Sequence, residues 1–397
     1  MVSLANIIFY TFYFVFYIKI IVILKYFNLQ RIIISVTNDI VNDQRVKKVC
    51  STLQNNFEIT LIGRKLPNSL TINRPYKVIR MPLVFNKGFL FYAEFNLRLF
   101  FKILFLKKDV LLANDLDTLL PNYLISTLLN KKLVYDSHEL FTEVPELISR
   151  SNIRNFWLRI EKFILPKLKN VYTVNKKIAY FYKSKYSISV GVVRNISPKL
   201  GDHRVDNDLL KKIKGNKKML ILQGTGINKD RGAEEAVKMM QYINDCILYI
   251  IGSGDVINEL KRIIHVNGLE DKVYIKSKMP YKELLEYTKI ADLGLSLDKG
   301  TNLNYEYSLP NKIFDYLQCQ VPILCSNRIV VSDLIEKNDI GLVTNTHDPK
   351  KLATIVISIF SDKKRYLKWK TNLKKAAETY TWENESKNLI EVFSNLR

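Results

Sequence analysis

The sequence predicts an α/β protein with two doubly wound parallel sheets that face a central cleft, preceded by a hydrophobic segment. The chain has 397 residues, more than a single hydrophobic core of ordinary size accommodates. Short β-branched runs alternate with longer amphipathic stretches, and this alternation starts again near residue 218, which is typical of parallel strands joined by crossover helices. Residues 5–24 are apolar apart from Asn6, Thr11 and Lys19.

Composition indicates a globular protein with a preference for anionic partners. The chain is 47% hydrophobic and 25% charged, and its net charge is +23. This charge favours nucleic acid, phospholipid headgroups or phosphorylated substrates, although the same lysines could simply solvate the surface. The four cysteines and four histidines show no metal-ligand spacing, so we expect no zinc module, no disulfide framework and a reducing, cytoplasmic compartment.

The N-terminal segment, residues 1–30, is predicted to associate with a membrane. Its apolar stretch is long enough to cross a bilayer, but the aromatic residues at 10–17 prefer the headgroup level, which leaves its depth open. No basic region precedes it and no cleavage site follows it, so we expect it to be retained. Lys19, Lys25 and Arg31 at its C-terminal end place the rest of the chain at the cytoplasmic face of the cell membrane. The alternative is a peripheral hairpin packed on the protein.

Two Rossmann-like domains and a C-terminal extension follow this segment. We predict an N-terminal domain over residues 31–196 and a second domain over residues 197–370, whereas residues 371–397 form helices that could cross back to the first domain. The predicted strands are 31–36, 58–62, 110–113, 132–135, 171–174 and 190–193 in the first domain, and 219–223, 247–251, 273–275, 292–297 and 322–325 in the second. Ligands of such sheets bind beyond the carboxyl ends of the strands, so the site is expected in the cleft.

The stretch 81–108 in the first domain is rich in Phe, Leu and Tyr with interspersed basic residues. Such a helix suits an anionic membrane surface. The same apolar stripe is also what a crossover helix that faces the core requires, and both interpretations stay open.

Two glycine-containing loops follow neighbouring strands of the second domain. Gly224 and Gly226 precede Arg231 and a helix that starts near residue 233, while Gly252 and Gly254 follow the next strand. A helix N-terminus beside a cation is a natural anion site, so this loop could bind a diphosphate. Neither loop completes the dinucleotide fingerprint, which favours a mononucleotide over a nicotinamide cofactor. The alternative is an ordinary strand-to-helix turn.

A second anion site is predicted where Pro310 opens a helix. Free amides around Asn311 would point into the cleft and Lys312 would add positive charge to them. Asp315, one turn further on, could accept hydrogen bonds from ribose hydroxyls, and Glu306 would lie nearer the sugar.

Acidic residues and a histidine follow two strands of the first domain. Asp115 and Asp117 come after strand 110–113, and His138 and Glu139 after strand 132–135. Asp115 and Asp117 also match an Asp-x-Asp metal signature, which we discount because the phosphate-type loops lie in the other half. The alternatives are helix capping for the two aspartates and a buried, hydrogen-bonded role for the histidine.

Several segments together resemble glycosyltransferase family 4, whose members adopt the GT-B fold. Residues 306–316 resemble the family's Glu-x7-Glu region, and residues 223–232 resemble its first C-domain loop. Arg194 and Asn195 resemble the segment that ends the N-domain, and residues 135–139 resemble the histidine loop. The resemblance covers residues 31–390.

The resemblance implies a retaining transferase that takes a nucleotide-diphosphate sugar as donor and needs no metal or other cofactor. Arg231 and Lys312 would bind the diphosphate, Asp315 the ribose and His138 the donor sugar, with Asp115 as a second candidate catalytic residue. The departing diphosphate would be stabilised by these cations and by helix N-termini.

The acidic pair departs from the family pattern in its spacing. Glu306 and Asp315 are nine residues apart in this sequence, whereas the family separates its acids by eight, so the role of Glu306 stays open.

The predicted function is transfer of a sugar to a saccharide or lipid-linked saccharide in cell-surface polysaccharide synthesis. The expected partners are a nucleotide sugar, this acceptor and an anionic membrane surface, but no nucleic acid. One alternative is a sugar-nucleotide epimerase of the same architecture, against which the N-terminal segment argues. The other is a non-catalytic basic scaffold that binds a membrane or nucleic acid.

Overall fold

The computed structural model describes residues 29–396 apart from 42, 202, 203, 205 and 206, and two parallel sheets organise them. The sheets have seven and six strands, each with helices on both faces, so the prediction of two Rossmann-like domains with the GT-B architecture is confirmed. Residues 1–28, which make up nearly all of the predicted membrane-associating segment, lie outside the described residues. None of the helices in the described part is long and apolar enough to span a bilayer.

Every strand pair in both sheets is parallel. The first sheet has the order β3-β2-β1-β4-β5-β6-β7 and the second the order β10-β9-β8-β11-β12-β13. The strands are β1 (Gln30–Asp39), β2 (Phe57–Lys65), β3 (Lys77–Pro82), β4 (Val110–Asn114), β5 (Lys132–Ser137), β6 (Asn170–Thr173), β7 (Gly191–Val192), β8 (Lys218–Gly224), β9 (Cys246–Gly252), β10 (Val273–Lys276), β11 (Leu293–Ser296), β12 (Ile323–Ser326) and β13 (Gly341–Thr344).

The helices of the described residues connect these strands. In the first domain they are α1 (Gln44–Leu53), α2 (Gly88–Phe105), α3 (Leu116–Leu128), α4 (Pro145–Ile148), α5 (Ser151–Ile164) and α6 (Lys176–Tyr186). After the linker they are α7 (Asn207–Ile213), α8 (Ala233–Met239), α9 (Ile257–Val266), α10 (Tyr281–Ile290), α11 (Leu303–Tyr307), α12 (Asn311–Gln318), α13 (Ile329–Asn338), α14 (Pro349–Ser361), α15 (Lys363–Thr379) and α16 (Trp382–Ser394).

The strand order reverses once in each sheet, and these switch points locate the candidate site. Strands β2 and β4 lie on opposite sides of β1, and β9 and β11 lie on opposite sides of β8. The crossover connections diverge at such a point and open a crevice beyond the carboxyl ends of the two central strands. The relevant loops are therefore those that follow β1, β4, β8 and β11.

Two strands were missed by the sequence prediction, and both lie at the edge of a sheet. Strand β3 ends the first sheet and β13 ends the second. Neither strand is a continuous buried run, since most of their residues are only partly buried. An edge strand has one neighbour and needs few apolar side chains, so its sequence gives a weak signal.

The last helix completes the first domain. One face of the first sheet packs against α2, α3, α5 and α6, while its other face packs against α1 and α16. Trp382, Leu389 and Phe393 of α16 lie in the same apolar cluster as Ile32 of β1. Helix α15, by contrast, packs in the second domain, where Trp369 is buried.

Candidate active site

A chain of charged side chains lies at the carboxyl ends of β4 and β5. Arg45 of α1 donates hydrogen bonds to the buried carboxylate of Asp136, and His138 Nε2 lies 3.1 Å from Asp136 Oδ2. The other ring nitrogen, Nδ1, lies 2.9 Å from Asp115 Oδ2. The backbone N–H of His138 also donates to Asp115 Oδ1 at 2.8 Å. The imidazole is therefore fixed between two carboxylates.

This environment keeps His138 charged. Burial alone would lower its pKa, but the carboxylates of Asp115 and Asp136 outweigh burial and raise the pKa to about 10. Burial would likewise raise the pKa of Asp136, but Arg45 and His138 lower it to about 2. At neutral pH both ring nitrogens of His138 carry protons, so the ring acts as a cation and hydrogen-bond donor and not as a base.

Asp115 has a backbone conformation that non-glycine residues rarely adopt. Its φ is 59° and its ψ is 167°, a region that costs of the order of 1–3 kcal/mol for an L-residue. The side chain occupies the first position before α3 but makes no capping hydrogen bond. The helix-capping alternative is therefore wrong for Asp115, because its carboxylate is directed to His138.

Asp117 has a different partner from Asp115. One carboxylate oxygen accepts a hydrogen bond from the Thr37 hydroxyl at the end of β1, and the other, Oδ1, is buried with no hydrogen-bond partner within the described residues. Burial, followed by the charge of Asp115, raises the pKa of Asp117 to about 7. The two carboxylates of the Asp-x-Asp pair thus contact different residues, Asp115 contacting His138 and Asp117 contacting Thr37.

We expect Asp117→Asn to stabilise the protein at high pH. A carboxyl whose folded-state pKa is raised stabilises the fold below its unfolded-state pKa and loses that contribution as the pH rises through the folded-state value. The wild type should therefore lose stability between about pH 4 and 7. Above pH 7 the free energy of unfolding of the variant should exceed that of the wild type by roughly 1–3 kcal/mol.

Urea unfolding at several pH values measures this difference. Asp348→Asn, a change at an exposed helix cap, is the control. Parallel stability curves for Asp117→Asn and the wild type would contradict the assignment.

Two cations of the second domain converge on one carboxylate. Arg231 Nη1 lies 3.5 Å from Asp298 Oδ1, and Lys312 Nζ lies 3.4 Å from Asp298 Oδ2. The guanidinium carbon of Arg231 also lies 4.5 Å from the centre of the Tyr305 ring. The predicted diphosphate residues Arg231 and Lys312 are thus brought together, from the loop that follows β8 and from the first turn of α12.

This cluster has more positive than negative charge in a buried setting. Burial lowers the pKa of Lys312 and Asp298 opposes that effect, whereas Lys312 and Arg231 together overcome burial to lower the pKa of Asp298. Arg231 Nε has no hydrogen-bond partner among the residues the structure describes. A half-buried arginine with an unused donor, beside a buried lysine, fits an incoming anion such as a diphosphate.

Asp298 is a site residue that the sequence prediction missed. It lies two residues after the buried end of β11, at the switch point of the second sheet. An acidic residue after a buried strand was the available signal, but cations and glycines are the residues that a phosphate site is expected to show.

The two glycine loops are neighbours, as predicted, but their glycines differ in function. Ser253 N–H donates to the Gly224 carbonyl and Ile227 N–H to the Ser253 carbonyl. A Cβ on Gly252 would lie 1.7 Å from the Gly224 oxygen, and one on Gly254 would lie 1.9 Å from the Ile227 oxygen. These two glycines allow the loops to pack on each other. Gly224 and Gly226 instead have open space beside them, as a ligand-binding loop requires.

Pro310 precedes α12 and leaves its first turn without a side-chain cap, with Asn311 exposed at the first helical position. Asp315, one turn on, is buried and already accepts three hydrogen bonds. Its donors are the Ser197 hydroxyl at 2.6 Å, the Tyr281 hydroxyl at 2.7 Å and the Gln223 amide at 3.0 Å. A carboxylate accepts about four, so little of its capacity remains for a ribose.

The carboxylates of Glu306 and Glu139 both have partners within the protein. Glu306 forms an ion pair with Arg328 and is not joined to Asp315. Glu139 Oε2 accepts a hydrogen bond from the Asn304 amide at 2.8 Å, and the Asn304 carbonyl oxygen accepts from the Leu140 N–H at 3.0 Å. Asn304 of α11 therefore connects the second domain to the histidine loop of the first.

The remaining predicted cleft residues, Arg194 and Asn195, lie in the linker after β7. Arg194 forms an ion pair with Glu385 of α16, with Nη2 and Oε2 2.6 Å apart, and is not among the residues brought together at the switch points. Asn195 Oδ1 is buried without a hydrogen-bond partner in the described part of the chain. Arg194 thus holds the C-terminal helix to the linker.

We expect Arg194→Ala to destabilise the fold more than Glu385→Ala. The Glu385 side chain is 1% exposed and that of Arg194 is 34% exposed. Loss of Arg194 leaves a buried carboxylate unpaired, which costs about 3–5 kcal/mol. Loss of Glu385 leaves a guanidinium that water can reach, at roughly 1–2 kcal/mol. Urea unfolding of both variants checks the order, and equal losses would contradict it.

No group of three or more His, Cys, Asp or Glu side chains among the described residues is placed to hold a metal ion.

Comparison with known proteins finds a family similarity in the second domain. Residues 206–376 match the family model of glycosyl transferases group 1. The chain is 28% identical over 121 residues to chitobiosyldiphosphodolichol beta-mannosyltransferase of Candida albicans, a match that covers 29% of this chain and 25% of the relative. It is 27% identical over 128 residues to the amylovoran biosynthesis glycosyltransferase AmsK of Erwinia amylovora, which covers 32% of this chain and 31% of AmsK. These matches thus span about a quarter to a third of each curated relative.

The whole fold resembles solved structures of low sequence identity. The structure of Anabaena Alr3699/HepE in complex with UDP-glucose superposes with a TM-score of 0.73 at 13% identity, covering 92% of this chain and 100% of that one. This likeness shows the fold across both domains. Residues 206–376 are thus similar to the glycosyl transferases group 1 family, within a chain that has the GT-B fold.

Proposed function

We propose that the chain is a glycosyltransferase that moves a hexose or related sugar from a nucleotide-diphosphate donor to a saccharide or lipid-linked saccharide in cell-surface polysaccharide synthesis. The observation that carries the proposal is the convergence of Arg231 and Lys312 on one buried position. Both residues lie inside the matched family region. AmsK, a relative named for amylovoran biosynthesis, supports a polysaccharide product.

The donor diphosphate would replace Asp298 as the main anionic partner of Arg231 and Lys312. The Arg231 Nε that lacks a partner in the described residues would donate to a phosphate oxygen. Charge grows on the diphosphate as the glycosidic bond breaks, and preorganised cations in a buried site stabilise that charge most strongly in the transition state. The open backbone beside Gly224 and Gly226 would admit the phosphates.

His138 would contact the donor sugar from the opposite domain. Its proximity to the second domain follows from the Asn304–Glu139 hydrogen bond, which holds α11 against the histidine loop. Both ring nitrogens are already engaged by carboxylates, so His138 would act through its positive charge, which would stabilise negative charge on the leaving group. Asp115 and Asp136 would act through His138, because both fix the orientation of its ring.

Retention at the anomeric carbon is part of this proposal. A protonated His138 does not accept a proton from the acceptor hydroxyl, and the leaving phosphate would take that proton instead. We also propose that the reaction needs no metal and that residues 1–30 hold the enzyme at the cytoplasmic face of the cell membrane. The anomeric proton coupling of the product, measured by nuclear magnetic resonance, distinguishes retention from inversion.

A screen of UDP, GDP and dTDP sugars for thermal stabilisation tests the donor class. One nucleotide sugar should stabilise the protein by about 2.7 kcal/mol at a hundredfold excess over its Kd. The matching free monosaccharide, which lacks the diphosphate, is the control and should have no effect.

Two further assays, product analysis without acceptor and nucleic-acid binding, distinguish the candidate functions. Epimerised sugar nucleotide formed without acceptor would establish the epimerase instead. Salt-dependent nucleic-acid binding with no response to any sugar nucleotide would favour the scaffold.

A further inference from the structure

Helix α2 has apolar side chains on two opposite faces. Phe91, Phe95, Leu99 and Ile103 are buried in the core of the first domain. A second stripe, offset by two residues, points away from the core, and its members are exposed: Phe89 by 65%, Leu97 by 61%, Phe101 by 50% and Phe105 by 80%. A surface helix of a globular protein normally presents polar side chains outward, so this outer stripe needs another explanation.

The exposed stripe continues onto helix α5. The ring of Phe89 contacts that of Phe156 edge to face, with centroids 6.0 Å apart. Phe156 and Phe163 of α5 are themselves 42% and 57% exposed. The two helices therefore share one apolar, aromatic surface, which we call the α2–α5 face. A contiguous patch of this kind marks an interaction site.

The exposed charges of this face are all basic. Lys87, Lys102, Arg159 and Lys162 are exposed along α2 and α5 or at the start of α2. The acidic residues of these two helices are turned away or paired, since Glu161 is 1% exposed and contacts Lys185, and Glu94 accepts the Val84 and Phe85 amides. An apolar stripe on two helices whose exposed charges are all basic complements an apolar phase bordered by anions.

This charge pattern argues against two other occupants. A second copy of the same face would bring like charges together across a twofold axis. Residues 1–28 contain no Asp or Glu, so they could cover the apolar stripe but could not neutralise its basic border.

We propose that the α2–α5 face binds the surface of a bilayer that contains anionic phospholipid. The outward Phe and Leu side chains enter the boundary between headgroups and acyl chains, and the flanking Lys and Arg side chains contact lipid phosphates. This surface is separate from the membrane association proposed for residues 1–30 and does not rest on the proposed glycosyl transfer.

A fluorescent probe on the face itself tests the proposal in the full chain. The four cysteines, Cys50, Cys246, Cys319 and Cys325, are all buried, so a Phe101→Cys variant can be labelled selectively with an environment-sensitive fluorophore. Leu367→Cys is the matched control, because Leu367 is 64% exposed on the second domain. Vesicles of phosphatidylglycerol with phosphatidylcholine are compared with vesicles of phosphatidylcholine alone.

We expect the probe at position 101 to shift to the blue with the anionic vesicles and the probe at position 367 to stay unchanged. Adding Leu97→Glu and Phe105→Glu should raise the lipid concentration for half-maximal response at least about tenfold. A Lys102→Glu and Lys162→Glu pair should raise it by a similar factor, since each lysine near an anionic surface contributes about 1 kcal/mol.

Four results would overturn the proposal. One is protein that pellets with vesicles while the probe at position 101 does not respond, which would assign binding to another segment such as residues 1–28. Another is an equal response to neutral vesicles, which would mean that the basic side chains do not contribute to binding. The last two concern a probe at position 101 that is already blue-shifted without vesicles. If that shift persists on dilution, another segment of the same chain covers the face. If it disappears on dilution, a second copy of the chain covers it.

Discussion

Lys312→Ala and Arg231→Ala should each lower kcat by about 10²–10³-fold with the donor that the thermal screen identifies. Removal of one preorganised group that stabilises developing charge costs this much in other enzymes. Because both cations face the same position beside Asp298, the double variant should lose less than the product of the two single losses.

A ligand comparison separates a phosphate contact from a general defect. Each variant should bind the nucleoside diphosphate much more weakly than the wild type does, while its affinity for the nucleoside itself changes little. Lys337→Ala, at an exposed position of α13, is the control for lost positive charge. Unchanged turnover in both single variants would refute the assigned phosphate site.

His138→Ala should lower kcat by about 10²–10³-fold, the range for a preorganised group that stabilises developing charge. If the charged ring is required, wild-type kcat/KM should fall as the pH rises through the His138 pKa of about 10. Asp136→Asn removes one of the two carboxylates that raise this pKa, so the fall should move to lower pH. A structural role alone would not move the pH profile.

The stability of the fold should follow the same titration. The His138 pKa in the fold lies above its ordinary value, so its contribution is fully present below about pH 6.5 and is lost as the pH rises through about 10. His138→Gln, which keeps one hydrogen-bond donor, should show neither pH dependence. If the stability of the wild type stayed constant between about pH 6.5 and 10, the charged state of His138 would be contradicted.

The sequence predicted the central strands well because parallel strands buried on both faces require continuous apolar runs. Arg231 and Lys312 could be found because cations beside strand-to-helix turns are a local pattern. Asn304 could not be found in this way. Its partners Glu139 and Leu140 are about 165 residues away in the chain, and no local pattern indicates that contact.

Long-range pairing also explains what happened to two other predicted residues. Arg194 matched a family segment, but its partner Glu385 is 191 residues away, and the pair forms only because α16 returns to the first domain. Asp315 was expected to have free acceptor capacity, yet donors from three separate elements use most of it. Such partners depend on the assembled fold and not on spacing.

The return of α16 to the first sheet bears on how the chain matures on the ribosome. One side of the sheet that begins at Gln30 lacks its full apolar cover until Phe393 has emerged. The second domain, synthesised in between, can bury its own sheet earlier. The usual N-to-C order of domain folding during translation is thus reversed at the last step, and a released chain that ends just before residue 382 would have a finished downstream domain beside an incomplete upstream one.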